Sequence, residues 1–422
     1  MCMRKVDDHL RDVISERKMK KLQQFGTACL ATISVSSVMA QSNSSMNPAI
    51  SMVLQGNYSS YEQDPESYEL PGFMLGGEAG LAEAGFGLGH GELVMSSNID
   101  DQFFGKMTLA VAEHEGSTEI ELEEAYIETL GLGDSGATIK AGRFFSNVGY
   151  LNAQHTHAWD FADAPLVYRG LFGNQLVDDG VQLRWLAPTD LFLQVGAEMG
   201  RGERFPAGGA SHDGKGTQAF FIETGGDLNE SHSWQLGLSH WSAKIAGRQG
   251  GGHAHGGGSE EVPTYTGDSD VVGVDLTWKW APNGNYADQN LKFQFEYFKH
   301  NEDGDIEMEN SGPPVETSTY KGEQTGWYAQ AVYQFKPQWR AGVRFDSLDS
   351  DNTGSDADVL AEAGLDNEGH KPQRTSFMVD YAHSEFSLLR LQFNQDNSYE
   401  EADNQVYLQY VMSLGAHGAH QF

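Results

Sequence analysis

The sequence predicts an all-β fold: a transmembrane, antiparallel, up-and-down β-barrel of about 16 strands with an inward-folding third outer loop. Three observations predict it. Apolar and polar residues alternate with period two in segment after segment. Long and short connections alternate between those segments. No stretch beyond residue 40 approaches the ~20 apolar residues that a membrane helix needs. Composition narrows the classes further. The 422 residues carry 60 Asp plus Glu against 27 Lys plus Arg, a formal charge of −33. That excess argues against a nucleic-acid partner, because neutralising phosphates requires a basic face. Aromatics at 11% argue against a disordered acidic chain.

The N-terminus reads as an export signal. Residues 19–40 join a short basic stretch, Lys20 and Lys21, to an apolar run from Phe25 to Val35. Val38-Met39-Ala40 follows, with small or slim side chains where a signal peptidase cuts. Residues 1–18 are charged and unlike such a signal, and are expected to be a spurious extension. The barrel is assigned to residues 41–422. Both cysteines, Cys2 and Cys29, precede the cut, so disulfides and thiolate metal sites are not expected in the mature chain.

The expected strands, in order, are 48–58, 78–97, 101–114, 118–130, 136–145, 176–187, 189–201, 217–227, 232–244, 269–281, 289–301, 323–336, 337–348, 373–384, 386–397 and 404–414. The clearest alternate without a break. Leu291, Phe293, Phe295 and Tyr297 oppose Lys292, Gln294 and Glu296. Trp339, Ala341, Val343 and Phe345 oppose Arg340, Arg344 and Asp346. Leu389, Leu391 and Phe393 oppose Arg390, Gln392 and Asn394. In 78–97 and 217–227 the parity slips. Connections such as Pro188-Thr189, Asn229-Glu230 and Lys336-Pro337 are tight, whereas 59–77, 146–175, 202–216, 245–268, 302–322 and 349–372 are long. Membrane topology sorts loops in this way, with tight turns on one side and free loops on the other. A soluble sandwich has no reason to do so.

With this pattern the chain resembles bacterial outer-membrane porins. The resemblance covers the whole mature chain in pattern. Lys140-Ala-Gly-Arg-Phe-Phe145 resembles the Lys-x-Gly-x-Phe stretch of phosphate-selective porin-like proteins. The run from Gly142 to Gly173 is similar to porin-like proteins described as receptors and linked to zinc supply. The terminal Phe422 matches the aromatic by which barrel assembly machinery recognises such chains, although Ala416 to Gln421 is small and polar where that family has an amphipathic strand. The resemblance implies an outer-membrane location, contact with lipid and lipopolysaccharide, and a homotrimer.

A barrel of this size encloses water. The third outer connection, 146–175, carries Trp159, Phe161, Leu166, Val167, Tyr168, Leu171 and Phe172, more apolar surface than a free loop needs. Porin resemblance implies that it narrows the pore; a lid on the rim or a trimer contact would use the same residues. Asp160, Asp163 and Arg169 on this connection are the candidate constriction residues. They join Lys140, Arg184, Lys292, Glu296, Arg340, Arg344 and Arg390, which strand parity turns inward. Acids facing a basic ladder across the eyelet would set up a transverse field. The acidic outer loops 302–322 and 349–372 should concentrate cations, which counts against phosphate uptake.

Two histidine pairs are candidate zinc ligands, since alternate residues of an extended chain point the same way. His155 and His157 would be completed by Asp160 or Asp163. His253 and His255 would be completed by Glu260 or Glu261. Asp349-Ser-Asp351-Asn-Thr-Gly354 begins like a calcium loop but fails at its fifth and twelfth positions, Thr353 and Leu360, so no more than loose calcium affinity is expected at this outer loop. No cofactor is required by this reading. No Gly-x-Ser-x-Gly or His-Glu-x-x-His motif is present, so no enzymatic activity is expected. The expected function is a weakly cation-preferring diffusion porin for small hydrophilic solutes or ions. The alternative is a zinc-responsive receptor or uptake channel using its histidine-bearing loops.

Overall fold

A computed structural model describes residues 48–114, 117–209, 215–250, 261–309, 311, 314–399 and 401–415. The expected export signal, the pair His253 and His255, and Phe422 lie outside the described residues. One antiparallel sheet closes on itself. Its strands are β1 (Ala49–Ser60), β2 (Gly85–Leu88), β3 (Gly91–Asn98), β4 (Phe103–His114), β5 (Ser117–Thr129), β6 (Ala137–Phe145), β7 (Val177–Leu186), β8 (Phe192–Gly200) and β9 (Thr217–Asn229). They continue through β10 (His232–Gln249), β11 (Val262–Trp280), β12 (Asn290–Glu309), β13 (Glu316–Lys336), β14 (Trp339–Gly354), β15 (Gln373–Ser384), β16 (Ser387–Asp396) and β17 (Asp403–Gly415). Each strand pairs with its neighbour in sequence, β2 and β3 apart. β17 returns to β1, with Ser51 opposite Gly415 and Ser60 opposite Val406. Both β2 and β3 pair with β1 and count as one barrel strand, so the barrel has 16.

Alternation sets which face meets which medium. Phe377, Val379, Leu389, Leu391, Phe393, Val406, Leu408 and Tyr410 are exposed on the outside. Their alternate neighbours Arg374, Ser376, Met378, Asp380, Arg390, Gln392, Asn394 and Gln405 are buried on the inside. An apolar exterior around a polar interior fits a lipid solvent and not an aqueous one. Trp185 and Trp339 stand exposed on this outer face close to strand ends.

Two expectations need correction. The stretches 245–268, 302–322 and 349–372 are not wholly loops. β10 to β14 extend into them, so that Glu302–Glu309 and Glu316–Lys321 are paired wall. Above the lipid the alternation inverts: Asp303, Asp305, Glu307 and Glu309 face outward, while Tyr265, Ile306, Met308 and Tyr320 face inward and join the apolar core, so the acid-rich runs read as loops. Asp303, for example, pairs with Lys321 across this wall at 3.1 Å. Asp349 to Gly354 likewise lies in extended β14, and Asp349 is held by Lys371 at 2.5 Å, so this run does not form a calcium loop.

The parity slips have a physical cause. Gly56 pairs with Leu88 but Val53 pairs with Glu92, so one extra residue bulges between β2 and β3. In β5 the register jumps from Thr108–Glu124 to Leu109–Leu122, leaving Glu123 as the bulged residue. A bulge reverses which parity faces inward and re-aims the side chains beside it. Phe86 and Leu88 therefore face out while Glu92 is buried, and both Glu123 and Glu124 are buried.

Candidate functional site

The third outer connection folds into the barrel. It runs from β6 through a 3-10 turn at Thr156–Ala158 to a short helix, α1 (Leu166–Phe172), whose seven residues are all buried. These side chains pack with Tyr68, Leu70 and Phe73 of the first outer connection and with Phe298, Tyr328 and Leu348 of the wall. The lumen is therefore not uniformly wet. It holds an apolar core where the connection is seated, and the rim-lid and trimer-contact readings of its apolar residues do not apply.

Polar anchors fix that seat. Glu296 of β12, fully buried, accepts the N–H groups of Tyr150 and Leu151 at 3.0 Å each, and the Tyr168 hydroxyl at 2.8 Å. The Tyr328 hydroxyl also donates to it. Glu198 of β8 accepts from Ser146 Oγ at 2.5 Å and from the Asn147 N–H at 2.9 Å. Gly149 makes the approach possible. Its φ is +84°, and a Cβ there would fall on the Tyr168 hydroxyl and the Glu296 carboxylate. Gly149→Ala is expected to destabilise the barrel by about 1–3 kcal/mol. A urea unfolding midpoint in lipid vesicles reads this, and an unchanged midpoint would contradict the tight seat.

The structure brings the loop acids and the basic ladder together, but not across an opening. Arg344 donates to the Asp163 carboxylate at 2.7 Å, as do Gln392 and Asn394 at 2.7 and 2.8 Å, and Arg374 forms an ion pair with it at 2.9 Å. Asp160 pairs with Lys292 and, at 3.2 Å, with Arg340. Arg340 and Arg390 share Asp380, at 2.5 and 2.9 Å. Arg344 also lies over the Phe161 ring, 4.6 Å from its centroid. The expected transverse field between Asp160 or Asp163 and this ladder is thus corrected. Opposite charges in contact cancel at a distance, and they serve here as anchors. Asp346, on the polar face of its strand, and Arg374 belong to the same network, and neither is among the expected constriction residues. Arg374 shares the parity of Asp380 and was legible on that ground.

On the opposite wall, Arg184 donates to Glu128 at 2.6 Å, and Lys140 lies 3.8 Å from the same carboxylate. Arg169 donates to the carbonyls of Ala79 and Gly80 at 3.0 Å, tying α1 to the first outer connection. A cavity of about 450 Å³ remains between the inward connection and the β1–β5 side of the wall. Of the ten expected constriction residues, Asp163 and Arg169 line it, and the other eight do not. Glu78, His90, Glu121, Glu123 and Arg204 line it as well.

His155 and His157 are also placed otherwise than expected. Asp160 and Asp163 are engaged with the basic ladder and do not complete this pair. Glutamates of the bulged strands lie against it instead. His155 Nδ1 lies 3.2 Å from Glu92 Oε2 and 3.3 Å from Glu123 Oε2, and His155 Nε2 lies 2.8 Å from Glu124. His157 Nδ1 lies 2.6 Å from Glu92 Oε1, and His90 Nε2 lies 2.7 Å from Glu123 Oε1. Lys106 Nζ is 2.6 Å from Glu124. The sequence signal for this cluster was Glu121-Leu-Glu-Glu124, where alternation breaks.

A closed 16-stranded barrel with a lipid-facing apolar exterior and an inward third connection defines a porin-type β-barrel of the bacterial outer membrane. Solved structures agree on the fold. The chain is similar to OmpT, an outer membrane protein of Vibrio cholerae, at 9% identity and a TM-score of 0.52 over 89% of this chain and 100% of that one. It is similar to an anion-selective porin from Comamonas acidovorans at 10% identity and a TM-score of 0.52, over 87% and 99%. The outer membrane channel DcaP of Acinetobacter baumannii matches at 11% identity and a TM-score of 0.50, over 87% and 97%. No protein-family model matches the chain. The chain belongs to the same family as an uncharacterized protein of Aquifex aeolicus (strain VF5), with 30% identity over 365 residues, 80% of this chain and 70% of the relative. The structural likeness is to porin-type barrels in general and singles out neither the phosphate-selective nor the zinc-linked kind.

Proposed function

We propose that the protein is an outer-membrane diffusion channel for small hydrophilic solutes and ions. The observation that carries this reading is the cavity, with charged side chains on its wall, left beside the inward connection inside a closed barrel. Residues 146–176 fill the β12–β16 side of the lumen, so solute passes along β17 and β1 to β5. The cavity wall sets Glu78, Glu121, Glu123 and Asp163 against Arg169 and Arg204. With the acids of 302–322 and 349–372, this balance supports a weak cation preference. The solved OmpT includes a trimer form, and a trimer is proposed here by analogy, with cross-linking to a three-chain species as its check.

Purified protein in a planar bilayer tests the channel. Stepwise conductance is expected, and a silent membrane would overturn the reading. In a potassium chloride gradient the reversal potential should carry the sign of cation preference. Replacing Glu78 and Glu121 together with glutamine should move it toward zero. An anion-selective wild type would refute the charge assignment while leaving the channel intact. The alternative, a metal-responsive receptor or uptake channel, is favoured by one observation, the histidine–glutamate cluster on the cavity wall.

A further inference from the structure

The geometry points to a divalent transition-metal site, of the kind zinc occupies, formed by His90, Glu92, Glu123 and His155. His90, Glu92 and Glu123 each place a ligand atom within 4.8 Å of the other two. His155 Nδ1 sits between Glu92 Oε2 and Glu123 Oε2, 3.2 and 3.3 Å away. A tetrahedral ion with ligand bonds of about 2.1 Å has ligand-to-ligand edges of roughly 3.4 Å, close to the two separations at His155. The same three atoms, Glu92 Oε2, Glu123 Oε2 and His155 Nδ1, are buried and make no hydrogen bond. Glu92 as a whole is only 2% exposed. Buried polar atoms left without hydrogen bonds are costly. A cation among them would satisfy all three together.

The surrounding groups fit the same assignment. The Nε2 of His155 lies 2.8 Å from Glu124, so its N–H can donate there while Nδ1 faces the ion. A carboxylate behind a ligating imidazole fixes its tautomer and orientation. His157 steadies Glu92 from the other side at 2.6 Å. Two imidazoles with two carboxylates suit zinc and its neighbours better than calcium, which takes six or more oxygens. His90, Glu92 and Glu123 belong to the wall, whereas His155 belongs to the inward connection. An ion here would therefore clamp that connection to the wall beside the cavity. The inference goes beyond diffusion and does not depend on solute passage.

Zinc chloride titration calorimetry on the folded, detergent-solubilised full chain tests it. One saturable ion per chain is expected, reversed by chelator. Glu92→Gln, Glu123→Gln and His155→Ala should each weaken binding about tenfold or more. The pair His253→Ala with His255→Ala should change it less than about twofold. Heat-modifiable gel migration confirms that each variant is folded. Should the wall variants fail to fold, His155→Ala carries the test, since it sits outside the sheet. Absence of saturable zinc binding by the wild type overturns the site. So does binding lost with His253 and His255 but kept in the cluster variants.

Discussion

Replacing Asp163 with alanine is expected to destabilise the barrel by about 3–5 kcal/mol and to raise its single-channel conductance. Asp163 receives Arg344, Arg374, Gln392 and Asn394, contributed by three different strands. The residue is 6% exposed, and both arginines are 1% exposed or less. Removing the carboxylate leaves two buried guanidinium groups to share Asp346 alone, which costs far more than the loss of a surface pair. Asp346 retains its contact with Arg344 at 3.0 Å, but it cannot hold the inward connection as Asp163 does. With its anchor lost, that connection should leave its seat for part of the time and widen the passage. Urea unfolding in lipid vesicles reads the stability, and bilayer recording reads the conductance. A stable variant with unchanged conductance would show that the network does not hold the connection. Asp163→Asn keeps the hydrogen-bonding shape and should fall between wild type and alanine in both measurements.

Leu391→Arg is expected to cost about 2–4 kcal/mol in a bilayer. Leu391 is 54% exposed in the middle of β16, on the face that meets lipid, while its neighbour Gln392 is wholly buried and holds Asp163 and the Ala162 N–H. A charged side chain near the membrane midplane must be buried in hydrocarbon or drag water in with it. The same change on a soluble protein's surface would be almost free. Refolding yield and urea midpoint in vesicles are the readouts. A cost within about 0.5 kcal/mol would mean that this face does not lie in lipid.

Most of the barrel was legible because lipid on one side and polar groups on the other impress a two-residue period on a strand. In β15, β16 and β17 the expected bounds fall within a residue or two of those observed. Where that contrast stops, so did the reading. The upper parts of β11, β12 and β13 turn acids outward and Tyr265, Ile306, Met308 and Tyr320 inward, the reverse of the lipid-zone pattern, and their acid content reads as loop. The bulges at β2–β3 and at Glu123 broke the period without announcing where the chain resumed it.

By itself the sequence determined the class of the protein: its strand count, its lipid face, the inward parity of Arg340, Arg344 and Arg390, and an unusually apolar third connection. Those are local properties, set by side chains a few residues apart. Only the tertiary structure decided what these residues meet. Asp163 finds partners roughly 180 to 230 positions away, and His155 finds Glu92 and Glu123 on bulged strands. Such meetings depend on closure of the sheet and on single-residue register shifts. A one-residue shift turns a side chain to the opposite face, so no pattern along the chain encodes the outcome.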